Sequence, residues 1–259
     1  MNYADAHVHV YAPGGGAPQP PRFTVEDLLS HAKPAGVSRV VLIQISHYKF
    51  DNSYMLRALK DHPGMFSAVS VVDHDRPDLA AAVADLARQG TRGFRINARG
   101  FDSPGMERLW KLATAAGIAM CPLINPDALP VIDQWCTRFP TTKVVIDHMA
   151  RIGATGEIRD SDIRLLCGLA KHRNVYVKVS AFYALGSKRP PYLDLVPMIQ
   201  RLVEDYGPCR LMWASDAPFQ VINGHTYAAS VDLVKSKLPF LNSGDREWIL
   251  SRTAAQVFF

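Results

Sequence analysis

Two histidines two residues apart, His7 and His9, follow Asp5 in the opening stretch Tyr3-Ala-Asp-Ala-His-Val-His-Val10. Side chains alternate between the faces of a strand, so Asp5, His7, His9 and Tyr11 are expected on one side and Ala6, Val8 and Val10 on the other. Buried imidazoles need polar partners. The pair is therefore either two hydrogen-bonded core histidines or the start of a site in which ring nitrogens ligate a metal or move protons. Taken alone, the His-x-His pattern does not decide between these.

Further polar residues fall late in later strand-like runs. Gln44 and Ser46 end the second run, with Tyr48 just beyond, and Arg95 and Asn97 end the fourth, followed by Arg99. His148 lies on the face of Val144 and Ile146, with Arg151 at the start of the next loop. Tyr176, Lys178 and Ser180 share a face of the seventh run, and Asp216 shares a face of the eighth with Met212 and Ala214. A carboxylate among imidazoles is the usual composition of a general acid–base site, and an arginine fork suits a substrate carboxylate. Asp147, on the other face from His148, is expected to be a structural carboxylate toward the helices. Lys178 is read either as an inward charge or as an outward residue that packs only its stem. His47 and His74 stand just past the second and third runs, within reach of a rim.

The elements that must position these residues alternate regularly. Strand patterns at Arg39–Ser46, Phe66–Asp73, Thr91–Ala98, Ile118–Ile124, Lys143–Ala150, Val175–Ala181 and Arg210–Ala217 follow the opening strand, with helical patterns between them. The first helix begins at a capping box, Thr24 with Asp27. Eight strand–helix units in 259 residues predict an α/β fold, a single (β/α)8 TIM barrel forming one domain over 1–259. No GxGxxG or P-loop sequence is present. In such a barrel the strands' C-terminal ends carry the chemistry, which is where the polar residues collect. The stretch 12–21, rich in Gly and Pro, is expected to be a rim loop or lid.

Composition narrows the class further. Apolar residues make up 48% and charged residues 20%, the balance of a soluble globular protein. The net charge of +5 is scattered without a Lys/Arg run, which argues against nucleic acid as a partner and suits a small anionic substrate. No apolar run approaches a membrane span, and the first strand starts too early for a signal peptide, so a cytoplasmic protein is expected, monomer or homo-oligomer. Cys121, Cys136, Cys167 and Cys209 lack CxxC spacing and read as reduced core thiols.

The motifs Asp5-Ala-His-Val-His9, Gly93-Phe-Arg-Ile-Asn97, Ile146-Asp-His-Met-Ala-Arg151 and Trp213-Ala-Ser-Asp-Ala-Pro218, in that order, resemble the amidohydrolase superfamily. The resemblance is strongest to its short amidohydrolase-related branch, which contains 2-pyrone-4,6-dicarboxylate lactonase and sugar lactonases; Gln44 with Asp51-Asn52 is similar to that branch as well. It implies a hydrolase that opens a small anionic lactone or cyclic ester. His7, His9, His148 and Asp216 would be the catalytic set, Asp216 the general base and the histidines carbonyl-polarising or metal-ligating groups. Arg95, Arg151 and Arg99 would hold substrate carboxylates, with Asn97, Tyr48, Gln44 and Ser180 as lesser contacts. The same four catalytic residues could carry one divalent metal such as zinc, and metal-free catalysis is the equal alternative. Phe219 stands where many members have histidine, and Ala119, Cys121 and Leu123 offer no bridging lysine, so a binuclear centre is not expected. A metal-dependent, non-oxidative decarboxylase of an aromatic or unsaturated acid is the second reading.

Overall fold

A computed structural model describes residues 2–13, 22–97 and 101–259. Arg99 and most of the expected rim loop, residues 14–21, lie outside the described residues. Eight strands form one parallel sheet in sequence order: β1 Tyr3–Val8, β2 Val37–Ile43, β3 Phe66–Ser70, β4 Thr91–Asn97, β5 Ala119–Leu123, β6 Val144–Ile146, β7 Val175–Ser180 and β8 Leu211–Ala214. Helices α1 Val25–Ala32, α2 Ser53–Asp61, α3 Leu79–Arg88, α4 Pro104–Ala115, α5 Leu129–Arg138, α6 Asp160–Gly168, α7 Val196–Tyr206 and α8 Tyr227–Ser236 follow the strands in turn. Two short helices, α9 Ser243–Glu247 and α10 Thr253–Phe258, finish the chain. This is the (β/α)8 barrel that the alternation predicts. The capping box of α1 is present, with Thr24 and Asp27 bonding each other's backbone.

The barrel closes through the residues that carry the chemistry. Val8 bridges Ala217 in parallel, the His9 N–H donates to the Ala217 carbonyl (2.8 Å), and the Asp216 N–H donates to the His7 carbonyl (2.9 Å). The first and last strands thus set His7, His9 and Asp216 side by side. The even residues of the outer strand faces, such as Val40, Leu42, Phe94 and Ile96, pack against the helices. Ala4, Ala6, Val41, Ile43, Val69, Cys121, Val145, Tyr176, Met212 and Ala214 fill the barrel, and Val257 and Phe258 of α10 plug it from below. Gly93 has no side chain because a Cβ there would come within 2.9 Å of both Cys121 Sγ and Val69 Cγ2. All four cysteines are free, but only Cys121 and Cys136 are core thiols; Cys167 is half-buried and Cys209 exposed, in the middle of the turn before β8. Among the described residues no helix is long and apolar enough to cross a membrane.

Two local irregularities overturn the face assignments. Asp5 pairs with Val40 and Val8 with Leu42, so β1 carries one residue more than β2 between these points, a bulge that reverses the alternation. Asp5 therefore does not share a face with His7. It turns toward α8, where it accepts from the Tyr227 hydroxyl (2.6 Å) and from the Ser215 N–H (2.9 Å). Strand β6 stops at Ile146 instead of running to Ala150, because His148, Met149 and Ala150 take left-handed φ/ψ values, with Arg151 also at positive φ. For L-residues this costs roughly 1–2 kcal/mol each, strain of the kind stored at functional sites.

Asp5 supplies a stability test. Burial pushes its carboxyl up to about 6, against the hydrogen bonds from Ser215, Tyr227 and His7 that favour the anion. The folded state then holds a proton that the unfolded chain has released between pH 4 and 6, so this group's contribution weakens as pH rises through that window. The shift is worth about 3 kcal/mol, as an order of magnitude. Asp5→Asn keeps the acceptor oxygen and removes the charge, so its melting temperature should gain on the native chain between pH 4 and 7. Parallel melting curves across that range check this; a gap independent of pH contradicts it.

Candidate active site

At the C-terminal mouth of the barrel, His7, His148 and Asp216 bring one ligand-capable atom each within 4.8 Å of one another, all buried. Asp216 comes from the loop after β8 at φ +63°, a conformation that Asp tolerates better than most residues. Its Oδ2 accepts from the Tyr183 hydroxyl at 2.7 Å. Its Oδ1 is buried with no hydrogen-bond partner among the described residues, 3.5 Å from His7 Nε2 and 3.4 Å from His9 Nε2. Burial alone would raise this carboxyl. The surrounding His148, His9 and His7 outweigh burial and hold it below the ordinary range. It is an anion at neutral pH with one oxygen restrained and one available.

Each histidine is fixed from behind. His9 Nδ1 lies 2.8 Å from the Ile43 carbonyl, an acceptor only, so Nδ1 carries a proton and in the neutral ring Nε2 faces the site as a lone pair. His148 Nδ1 lies 2.8 Å from Ser180 Oγ, which in turn donates to the Lys178 carbonyl (3.4 Å). The pKa of His148 is lowered, chiefly by burial, so this ring is neutral. His7 is lowered further, by burial and then by Lys178.

The structure corrects the reading of Asp147 and decides between the two for Lys178. Asp147 is wholly buried inside the barrel: Lys178 Nζ lies 2.9 Å from its Oδ1, and His7 Nδ1 lies 3.3 Å from the same oxygen. The ammonium meets the carboxylate obliquely, yet at this separation and zero exposure the two form an ion pair. Lys178 and His7 hold the Asp147 carboxyl well below its usual range against a strong opposing burial effect. Lys178 points inward, on the face shared with Tyr176 and Ser180, and sits over the Phe258 ring. Period-2 reasoning missed Asp147 because the left-handed turn begins at the next residue.

Beside this cluster opens a cavity of about 960 Å³. Its walls include His9, Tyr11, Gln44, His47, Lys49, Arg95 and Asn97, and the apolar Phe50, Ile96, Leu123 and Phe219. Arg95 is half-buried; its Nη1 donates to the Gln44 carbonyl and reaches His9 Nε2, both at 3.4 Å. The Phe219 ring lies 6.0 Å from that of His9, edge to face.

Other expected contacts have their polar atoms engaged elsewhere or lie off the cavity. Both ends of the Gln44 amide serve its own loop, Nε2 donating to the Asp51 carbonyl and Oε1 accepting from the Ile45 N–H. Tyr48 accepts from the Ala12 N–H (3.0 Å) and is absent from the cavity lining. Ser180 sits behind His148, and Arg151 is exposed and does not line this cavity. Tyr183 was unmarked in the sequence; its one signal is its place three residues after β7.

Two imidazoles and a carboxylate oxygen lacking a hydrogen-bond partner among the described residues fit a single divalent cation by donor type and spacing. His9, expected as a fourth ligand, is not one of the three, although its Nε2 lies 3.2 Å from His7 Nε2 and 3.4 Å from Asp216 Oδ1.

A (β/α)8 barrel with histidines and an aspartate gathered at its C-terminal mouth defines a hydrolase-type site of the amidohydrolase kind. The family model for amidohydrolases matches residues 4–259, and the chain belongs to that family. It is similar to a 2-pyrone-4,6-dicarboxylate hydrolase of Comamonas testosteroni, 31% identical over 85% of this chain and 78% of the relative. It is also similar to an L-fucono-1,5-lactonase of Burkholderia ambifaria, 28% identical over 78% of this chain and 72% of that one. A crystal structure of a candidate 2-pyrone-4,6-dicarboxylic acid hydrolase from Pseudomonas putida superposes with a TM-score of 0.86 at 27% identity, over 99% of this chain and 97% of the other.

Proposed function

We propose that this chain is a lactonase that hydrolyses the ring ester of a small anionic lactone, of the carboxylated kind named for its Comamonas relative. The observation that carries the reading is Asp216: a buried, ionised carboxylate with Oδ2 held by Tyr183 and Oδ1 without a hydrogen-bond partner among the described residues. Water beside Oδ1 gives its proton to Asp216 as its oxygen adds to the ring carbonyl. The carbonyl oxygen gains charge and is stabilised by an imidazole N–H facing it, a part open to His7 but not to His9, whose ring proton is spent on the Ile43 carbonyl. When the ring C–O bond breaks, Asp216 returns the proton to the leaving oxygen, and the product is the open hydroxy acid. Arg95 fixes a substrate carboxylate at the cavity wall, with Asn97 beside it, while Ser180 keeps the His148 ring in register. Arg151, exposed after β6, is assigned to the outer rim, and Arg99 lies outside the described residues. A divalent metal bound by His7, His148 and Asp216 would supply Lewis-acid polarisation of the same carbonyl.

The decarboxylase reading uses the same residues, but both curated relatives described above are named as lactone hydrolases, which favours ring opening. The test is a panel of carboxylated lactones and aromatic acids, with and without chelator. Acid release from at least one lactone is expected. Carbon dioxide release with no lactone turned over would replace the proposal by decarboxylation.

A further inference from the structure

The hydrogen atoms of the cluster can be placed by following its partners inward from both ends. At one end His9 Nδ1 donates to the Ile43 carbonyl, so His9 Nε2 in the neutral ring is a lone pair. That lone pair is 3.2 Å from His7 Nε2. Two ring nitrogens at hydrogen-bond distance need one proton between them, and His9 has none there to give. The proton belongs to His7 Nε2. His7 Nδ1 is then the acceptor, and 3.2 Å from it is the ammonium of Lys178.

The other end gives the same answer independently. A buried ammonium has three donors and no acceptor capacity. Lys178 Nζ is wholly buried and meets Asp147 Oδ1 at 2.9 Å, His7 Nδ1 at 3.2 Å and the face of Phe258, 5.5 Å from its centroid. A proton on His7 Nδ1 would point at those hydrogens and leave the ammonium only its oblique approach to Asp147, whose carboxylate oxygens have no hydrogen-bond partner among the described residues, a costly arrangement at zero exposure. Asp147 also lies 3.3 Å from His7 Nδ1, so without the lysine the opposite tautomer would be the favoured one.

We infer that Lys178 is a positioning residue that locks His7 as its Nε2–H tautomer, so that His7 meets the reaction as a hydrogen-bond donor and resists metal. The chain of partners reads Asp147 carboxylate, Lys178 ammonium, His7, His9, Ile43 carbonyl. A cation at His7 Nε2 must first displace that proton. Replacing Lys178 by a neutral side chain leaves Asp147 as the partner of Nδ1, turns the ring to Nδ1–H, and creates the carboxylate–histidine–metal arrangement of ordinary zinc sites. The inference uses the residues of the proposed lactonase site but is read without substrate, so it stands or falls separately from that assignment.

Histidine-labelled protein, assigned with His7→Gln, shows by long-range nitrogen–proton correlation which His7 nitrogen carries the proton. The native chain is expected to be protonated at Nε2. Lys178→Met should move that proton to Nδ1 and tighten zinc binding by roughly 10–100-fold in competition with a chromogenic chelator. Should Lys178→Met leave Asp147 too exposed to charge imbalance to fold, Lys178→Met with Asp147→Asn removes both charges and should also free Nε2 for zinc. A native His7 protonated at Nδ1 overturns the inference, as does a folded lysine variant with the native tautomer and unchanged zinc affinity.

Discussion

Asp216→Asn is expected to lower kcat for lactone opening by about 10²–10⁴-fold, the range for loss of a general base, with a melting temperature close to that of the native chain. The variant is chosen for its backbone. Asp216 sits at φ +63°, where Asn is tolerated nearly as well as Asp and alanine is strained. An amide oxygen at the Oδ2 position still accepts from Tyr183, and the N–H that closes the barrel on the His7 carbonyl is untouched. What disappears is the anion at Oδ1, the atom whose burial is left uncompensated by any hydrogen bond among the described residues. Because the imidazoles hold this carboxyl below its ordinary range, the native rate should not fall through an Asp216 protonation step between pH 5 and 8. Steady-state kinetics with a parallel thermal melt decide the matter. A rate near the native one would remove Asp216 from the mechanism.

The strand–helix alternation was legible because most strands are short, largely apolar runs rich in β-branched residues and the helices carry a 3.6-residue stripe, signals that local composition supplies. The convergence of His7, His9, His148 and Asp216 was legible because barrel topology forces late-strand residues to one mouth, whatever their separation in sequence. The errors lie where the backbone leaves its period. A bulge in β1 sends Asp5 outward while His7 stays inside, and neither Ala6 nor Val8 marks it in the sequence. At the end of β6 four residues without a glycine take positive φ, which propensity would not predict at Met149 or Ala150, and this puts Asp147 beside His7. Lys178 was undecidable because its role depends on Asp147 and Phe258, both supplied by elements distant in sequence. Substrate contacts depend on which polar atoms the fold leaves available. Gln44 and Tyr48 have the right chemistry, but their polar atoms are consumed by neighbouring backbone, which only coordinates reveal.

Arg95→Met is expected to reduce kcat/KM for a carboxylated lactone by about 10–100-fold, almost entirely through KM. A hydrogen bond to a charged group is worth about 1.5–3 kcal/mol, and each 1.4 kcal/mol is a factor of ten. Arg95 is the guanidinium among the described cavity-lining residues, and its contacts to the Gln44 carbonyl and His9 are long, so they leave it available to a better acceptor. Methionine keeps much of the stem's apolar volume and removes the fork. Lysine restores a charge but not the bidentate geometry, so Arg95→Lys should recover only part of the loss. The discriminating comparison is with a neutral lactone of the same ring. If Arg95 serves the substrate carboxylate, the neutral lactone should lose little in the Met variant, and the preference for the anion should collapse. If instead Arg95 acts mainly on His9, both lactones should lose alike, in kcat, and the carboxylate assignment fails.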